Sequence, residues 1–96
     1  MSDITISHET AQDRGRYSAQ FEGADAGHLD WVSGGEGVRV ATHTLVPDAM
    51  RGKGIAGELV DALIADARSE GFRIEPQCSY VAAQFKRHPE WSELRA

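Results

Sequence analysis

The stretch Val46-Pro47-Asp48-Ala49-Met50-Arg51-Gly52-Lys53-Gly54-Ile55-Ala56-Gly57-Glu58-Leu59-Val60 decides how the rest of the chain is read. Upstream of it, Val38-Arg39-Val40-Ala41-Thr42-His43-Thr44-Leu45-Val46 is dense in β-branched residues and predicts a strand. Downstream, Ile55, Leu59, Val60, Leu63, Ile64 and Ala67 recur at helical spacing. They predict the buried stripe of a long helix that stops near Gly71. The joint between the two is rich in glycine and carries Arg51 and Lys53. A helix begins with four backbone N–H groups that have no helical partner. No Ser, Thr, Asp or Asn stands immediately before Gly52 to cap them. The partial positive charge of the helix end is then open to an outside anion. Gly52, Gly54 and Gly57 lack a Cβ, so a bulky anion can approach the backbone across Ile55 and Ala56. The stretch reads as a phosphate or pyrophosphate cradle. The plainer alternative is a glycine-containing helix start with two solvated cations.

Two common nucleotide motifs do not account for it. The residues around Gly52 do not supply G-x-x-x-x-G-K-[ST]. Gly52-x-Gly54-x-x-Gly57 matches the bare dinucleotide pattern, but that pattern belongs to a βαβ unit. Here the preceding strand sits in an antiparallel meander. Ile4-Thr5-Ile6-Ser7-His8 and Arg16-Tyr17-Ser18-Ala19-Gln20-Phe21-Glu22 alternate apolar and polar and predict two strands, with Glu9 to Gly15 as a turn. Gly23 to Gly27 predicts a second turn, and His28-Leu29-Asp30-Trp31-Val32 a third strand. Gly34-Gly35-Glu36-Gly37 closes a hairpin onto the fourth strand. Phe72-Arg73-Ile74-Glu75, stopped by Pro76, predicts a fifth strand. It follows a helix, so it can lie parallel to the fourth through a right-handed crossover. Ser79 can cap a short helix over 80–87, and Pro89 suits the first turn of a last short helix carrying Trp91 and Leu94.

The crossover brings the Gly52–Gly57 turn and Cys78 to the same end of the sheet, where ligands of α/β layers tend to bind. The fold class is α+β: a mixed, mainly antiparallel five-stranded sheet with one long helix and two short C-terminal helices. Ninety-six residues suit a single domain over 1–96. The formal charge of −5 disfavours nucleic acid as a partner. The lone cysteine, Cys78, allows no intrachain disulfide. No apolar run is long enough for a signal peptide or a membrane span, so the expected location is cytoplasmic, with no membrane partner. No pair of His, Cys or carboxylate residues has metal-ligand spacing, so no metal is expected.

Arg51-x-x-Gly54-x-Ala56, after a strand ending in Val46-Pro47 and before an amphipathic helix, resembles the Q/R-x-x-G-x-G/A acetyl-CoA signature of the GNAT N-acetyltransferases. His43-Thr44-x-Val46, Pro76-x-Cys78-Ser79-Tyr80-Val81 and His88-Pro89-Glu90-Trp91 resemble the very short GNAT subgroup. Together these motifs cover roughly the second half of the chain. The resemblance implies a minimal GNAT fold, acetyl-CoA as cosubstrate and an amine as acceptor. It implies that strands four and five splay apart and admit the pantetheine arm beside the matching positions Thr44, Leu45 and Val46. Arg51, Gly52, Lys53, Gly54, Ile55, Ala56 and Gly57 would hold the pyrophosphate.

Cys78, just past strand five, is the candidate to carry the acetyl group or to protonate the departing thiolate. Tyr80 is its rival for the second role, because many GNAT enzymes use a tyrosine in the helix after strand five. The bland reading packs Cys78 against the sheet. His43 can accept the acceptor's proton; by simple alternation it shares a face with Ala41 and Leu45. Its bland reading is a half-buried, hydrogen-bonded histidine. For His88 and Lys86 a structural role is favoured over phosphate contact, and His8 and His28 stand too isolated to read. Larger GNAT domains place helices between the first two strands, whereas Glu9 to Gly15 leaves room only for a turn. The acceptor side is therefore expected to be open, or completed by a partner. A protein lysine and a small amine are both allowed. The competing functions are a CoA- or acyl-CoA-binding module without catalysis and an interaction protein.

Overall fold

The computed structural model describes residues 3–96. Met1 and Ser2, with which the expected domain begins, lie outside the described residues. Five strands form a sheet in the order β1 (Ile4–Thr10), β2 (Arg14–Phe21), β3 (Ala24–Ser33), β4 (Val38–Leu45) and β5 (Arg73–Pro76). The first four pair antiparallel, and β4 pairs parallel with β5. The crossover between them is α1 (Ile55–Glu70), and α2 (Ser79–Arg87) follows β5. The last expected helix, Pro89–Leu94, is a 3₁₀ helix. The mixed α+β architecture is the one expected.

Several boundaries differ from the local reading. The expected turn over Gly23 to Gly27 shrinks to Glu22-Gly23, whose φ values of 51° and 83° suit a two-residue hairpin turn. Ala24 to Gly27 instead join β3, because Ala26 and Gly27 are buried and burial outweighs turn composition. The turn between the first strands is also short, since β1 runs to Thr10 and β2 starts at Arg14. Ser79 is the first residue of α2 rather than its cap; Cys78 holds that position and makes no side-chain capping bond.

Helix α1 buries Ile55, Leu59, Val60, Leu63, Ile64 and Ala67, the stripe expected from its periodicity. It ends on Gly71, whose φ of 82° suits a left-handed cap and whose N–H donates to Ala67 O at 2.9 Å. The stripe packs on Tyr17, Ala19, Leu29, Trp31 and Ala41 of the sheet, and Val81, Phe85, Trp91 and Leu94 complete the same cluster. Polar anchors reinforce it. Tyr17 donates its hydroxyl to Asp66 at 2.6 Å, and burial followed by that bond raises its pKa. His8 stacks on Tyr17 with ring centroids 3.9 Å apart. Its Nε2 accepts from Trp31 Nε1–H at 3.0 Å.

The opposite face of the sheet is different. Arg16, Gln20, Val32, His43 and Leu45 are exposed there, and Ser18, His28 and Asp30 are half-buried. Val40 is buried yet stands outside the main cluster.

Candidate active site

The site is built where β4 leaves β5. Their ladder runs from Val38↔Arg73 to Ala41↔Pro76. Pro76 has no N–H to extend it. Gln77 and Cys78 then both donate to the Ala41 carbonyl, at 3.1 and 2.8 Å, and the chain turns into α2. On its other side β4 stays paired with β3 as far as His28↔Leu45. Thr42 to Leu45 therefore run on without a β5 partner, and a gap opens between the two strands.

A bulge sets which side chains face this gap. Asp30 pairs with His43 but Trp31 pairs with Ala41, leaving Thr42 as the extra residue. The extra residue reverses the alternation. Ala41 and Thr44 fall on the helix side, opposite the buried Trp31 and Leu29, while His43 and Leu45 fall on the open face with Asp30 and His28. The expectation that His43 shares a face with Ala41 is thus corrected; it does share one with Leu45.

A second device positions the end of β4. Gly27, with φ of 134°, lies so close that a Cβ built on it would sit 2.4 Å from Leu45 O and 3.2 Å from Val46 Cγ2. Only glycine permits this approach. Local composition places Gly27 in a turn, since nothing local distinguishes a glycine that a neighbouring strand must touch.

A cleft of about 420 Å³ opens at this point. Thr44 and Val46 line it, as do Met50 and Arg51. Gly52, Gly54, Ile55, Ala56 and Gly57 at the start of α1 and Tyr80 of α2 complete the lining. Asp48–Met50 make a 3₁₀ turn before the glycines, with Met50 N–H donating to Pro47 O at 2.9 Å. Helix α1 starts after Gly54, whose φ of 78° is left-handed, and Gly54 makes no side-chain cap. The first helical bond is Glu58 N–H to Gly54 O at 3.1 Å. The N–H groups of Ile55, Ala56 and Gly57 stand ahead of that ladder, at the positive end of the helix. Gly52 at φ 83° and Gly54 need glycine for their backbone conformation. Gly57 does not. It is helical, and a Cβ there would meet nothing within 4 Å. Its missing methyl leaves open space in the cleft and weakens the helix at the same time.

Arg51 lines the cleft and pairs with Asp48 at 3.0 Å. Lys53 does not line it; its ammonium lies 4.7 Å from the centre of the Phe21 ring. Leu45 is 46% exposed on the open face, away from the cleft walls. Cys78 lies half-buried beside Thr44, Sγ to Oγ1 at 3.4 Å. Burial pushes its thiol up, but the polar surroundings supplied by Thr44 Oγ1 and by the backbone of Val81, Tyr80 and Thr44 outweigh it. The net effect is a pKa below the ordinary value. His88 stacks on Trp91 at 4.1 Å and pairs with Glu90 at 3.0 Å, which makes it part of the C-terminal packing. Among the described residues no group of three or more His, Cys, Asp or Glu side chains could hold a metal ion. No helix among them is long and apolar enough to cross a membrane.

The structure also gathers residues that sequence reading left unassigned. His28 lies against His43, with ring centroids 5.8 Å apart, and Asp30 stands directly across from His43. The i, i+2 spacing of His28 and Asp30 on one strand was the available signal, but their partner on β4 depended on the bulge.

The family model of the GCN5-related N-acetyl-transferases matches residues 16–94. Among solved structures, the fold is similar to that of a GCN5-like protein from Staphylococcus aureus. The TM-score is 0.70 at 18% identity, covering 100% of this chain and 91% of that one. It is similar to a GNAT family acetyltransferase from Elizabethkingia anophelis with acetyl-CoA bound, at TM-score 0.68 and 14% identity over 95% of this chain and 76% of that one. It is also similar to a ribosomal-protein-alanine N-acetyltransferase from Brucella melitensis, at TM-score 0.66 and 15% identity over 97% and 91% of the two chains. At such identities the structural likeness is one of fold.

Proposed function

Because the chain belongs to the GCN5-related N-acetyltransferases, we propose that it binds acetyl-CoA in the cleft beside β4 and transfers the acetyl group to an amine. One observation carries this reading. The N–H groups of the first turn of α1, a helical glycine with no internal need to be glycine, and the end of β4 beyond its β5 partner all meet at one cleft.

The N–H groups of Ile55, Ala56 and Gly57 would take the pyrophosphate, with Arg51 released from Asp48 to add charge. The gap between β4 and β5 would take the pantetheine arm. Backbone groups of Thr44 to Val46 would pair with that arm and polarise the thioester carbonyl. Lys53 would add charge at longer range, and Leu45 would contribute through its backbone only. Cys78 would attack the thioester. Its lowered pKa suits this nucleophilic role, because the thiolate is the reactive form. His43 would receive the acceptor's proton. The formal charge of −5 argues against nucleic acid as a partner, and free Cys78 suits a reducing, cytoplasmic setting.

Intact-mass analysis after brief incubation with acetyl-CoA and no amine tests the nucleophile. One added acetyl group, absent in Cys78→Ala, is expected. An unlabelled wild type that still releases CoA with an amine would rule Cys78 out as carrier. Thr44→Val removes the hydroxyl that lies 3.4 Å from Cys78 Sγ and lowers its pKa. Alkylation of Cys78 by iodoacetamide at neutral pH should then slow several-fold, and an unchanged rate would refute the role given to Thr44.

A further inference from the structure

The open face of the sheet holds a polar cluster that the cleft does not use. His43 on β4 stands across from Asp30 on β3, and His28 lies two residues along β3. The rings of His28 and His43 are 5.8 Å apart and tilted by 48°. His28 Nε2 lies 3.8 Å from Asp30 Oδ2. Arg16 on β2 grips the same carboxylate as a fork, Nε donating to Oδ1 at 2.6 Å and Nη2 to Oδ2 at 3.1 Å. Glu75 on β5, across from Val40, is a further charged group on this face. His28 and Asp30 are half-buried, whereas His43 is exposed. The outer imidazole can therefore meet a solute, while the inner imidazole and the carboxylate are held in place behind it.

The bulge at Thr42 gives this arrangement its chemical meaning. Consecutive residues of β4 point to opposite sides, Thr44 toward the cleft and His43 toward the open face. Helix α1 covers the other face of β1, β2 and β3, so an acceptor finds its room on the uncovered side. An alkylammonium has a pKa near 10.4 in water, and its nitrogen cannot attack until a proton leaves.

We propose that His28 and Asp30 are positioning residues that orient His43, and that His43 takes the proton of the acceptor ammonium on the open face. The inference rests on the acetyl-transfer reading above. In the step, one N–H bond of the ammonium breaks and its proton bonds to an imidazole nitrogen of His43. The freed lone pair forms the C–N bond to the acetyl carbon as the bond from that carbon to Cys78 Sγ breaks. The leaving sulfur takes the nitrogen's second proton, and His43 returns its proton to water.

The test compares wild type, His43→Gln, His28→Gln and Asp30→Asn in a thiol-release assay with acetyl-CoA and poly-L-lysine, from about pH 7 to about pH 10. Calorimetric titration of each with CoA runs alongside. Near pH 7, kcat is expected to fall roughly a hundredfold for His43→Gln and roughly tenfold for the other two variants, with CoA affinity unchanged. Near pH 10 about a quarter of the acceptor lysines are already neutral in water, and the three losses should shrink toward wild type. Losses of equal size at both pH values, or weakened CoA binding, would mean a structural role and overturn the inference. A wild type that binds acetyl-CoA but releases no thiol also overturns it, and leaves the cleft reading standing. Failure to bind acetyl-CoA sinks both. Asp30→Asn serves as the second variant should circular dichroism show that His28→Gln does not fold.

Discussion

Gly57→Ala should stabilise the free protein and weaken its hold on CoA. Gly57 is the third residue of α1, and its backbone is helical, so alanine fits without strain. An added Cβ meets no protein atom within 4 Å. Replacing an interior helical glycine by alanine gains about 0.5–1 kcal/mol, and a first-turn position falls at the lower end. For a domain of this size, about 0.5 kcal/mol raises Tm by roughly 2–4 °C. The same methyl projects into space that the proposed reading gives to a phosphate. If it displaces one N–H bond to a charged oxygen, the loss is about 1.5–3 kcal/mol. That weakens Kd for CoA by roughly 10- to 150-fold. Calorimetric titration with CoA and a thermal melt of the free protein measure the two halves separately. A raised Tm with unchanged Kd would refute the cradle, because the methyl would then have entered space no ligand uses. A lowered Tm would refute the claim that the space is open.

Two further outcomes follow from the core and from the close strand approach. Burial lowers the pKa of His8 from its ordinary 6.5, against the opposing attraction of Asp66. Below pH 6.5 the unfolded chain then binds more protons than the folded one, so stability rises with pH across the window between the two pKa values. Urea unfolding at a series of pH values should show stability lost as pH falls below 6.5 and level above it, and His8→Gln should flatten that slope; an unaltered slope would clear His8 of the effect. Gly27→Ala should destabilise the fold by about 1–3 kcal/mol, since its Cβ would sit 2.4 Å from Leu45 O. It should also raise KM for acetyl-CoA by shifting Leu45 and Val46, and an unchanged KM in a folded variant would separate Gly27 from the cleft.

Much of the architecture is legible in local sequence. The apolar stripe of α1, the β-branched run of β4, the glycines after Pro47 and the stop at Gly71 each depend on neighbours within a turn or two of chain. Short-range sterics and periodicity therefore suffice to read them. The same local signals bring the glycine turn and Cys78 to one end of the sheet. They do not say which face His43 occupies, because that depends on Thr42 being extra in a register with β3. They do not reveal why Gly27 is glycine, since the atom that excludes a side chain is the carbonyl of Leu45, 18 residues away. Nor do they join His8, Tyr17, Trp31 and Asp66, which four separate elements bring together. The sequence by itself determined the elements, their order and the glycine-rich helix start without a side-chain cap. Tertiary structure decided the register of β4, the gap left where Pro76 ends its pairing, and the approach of the His43 ring to that of His28. Strand register is a relation between distant residues, and a single extra residue in it exchanges the two faces of a sheet.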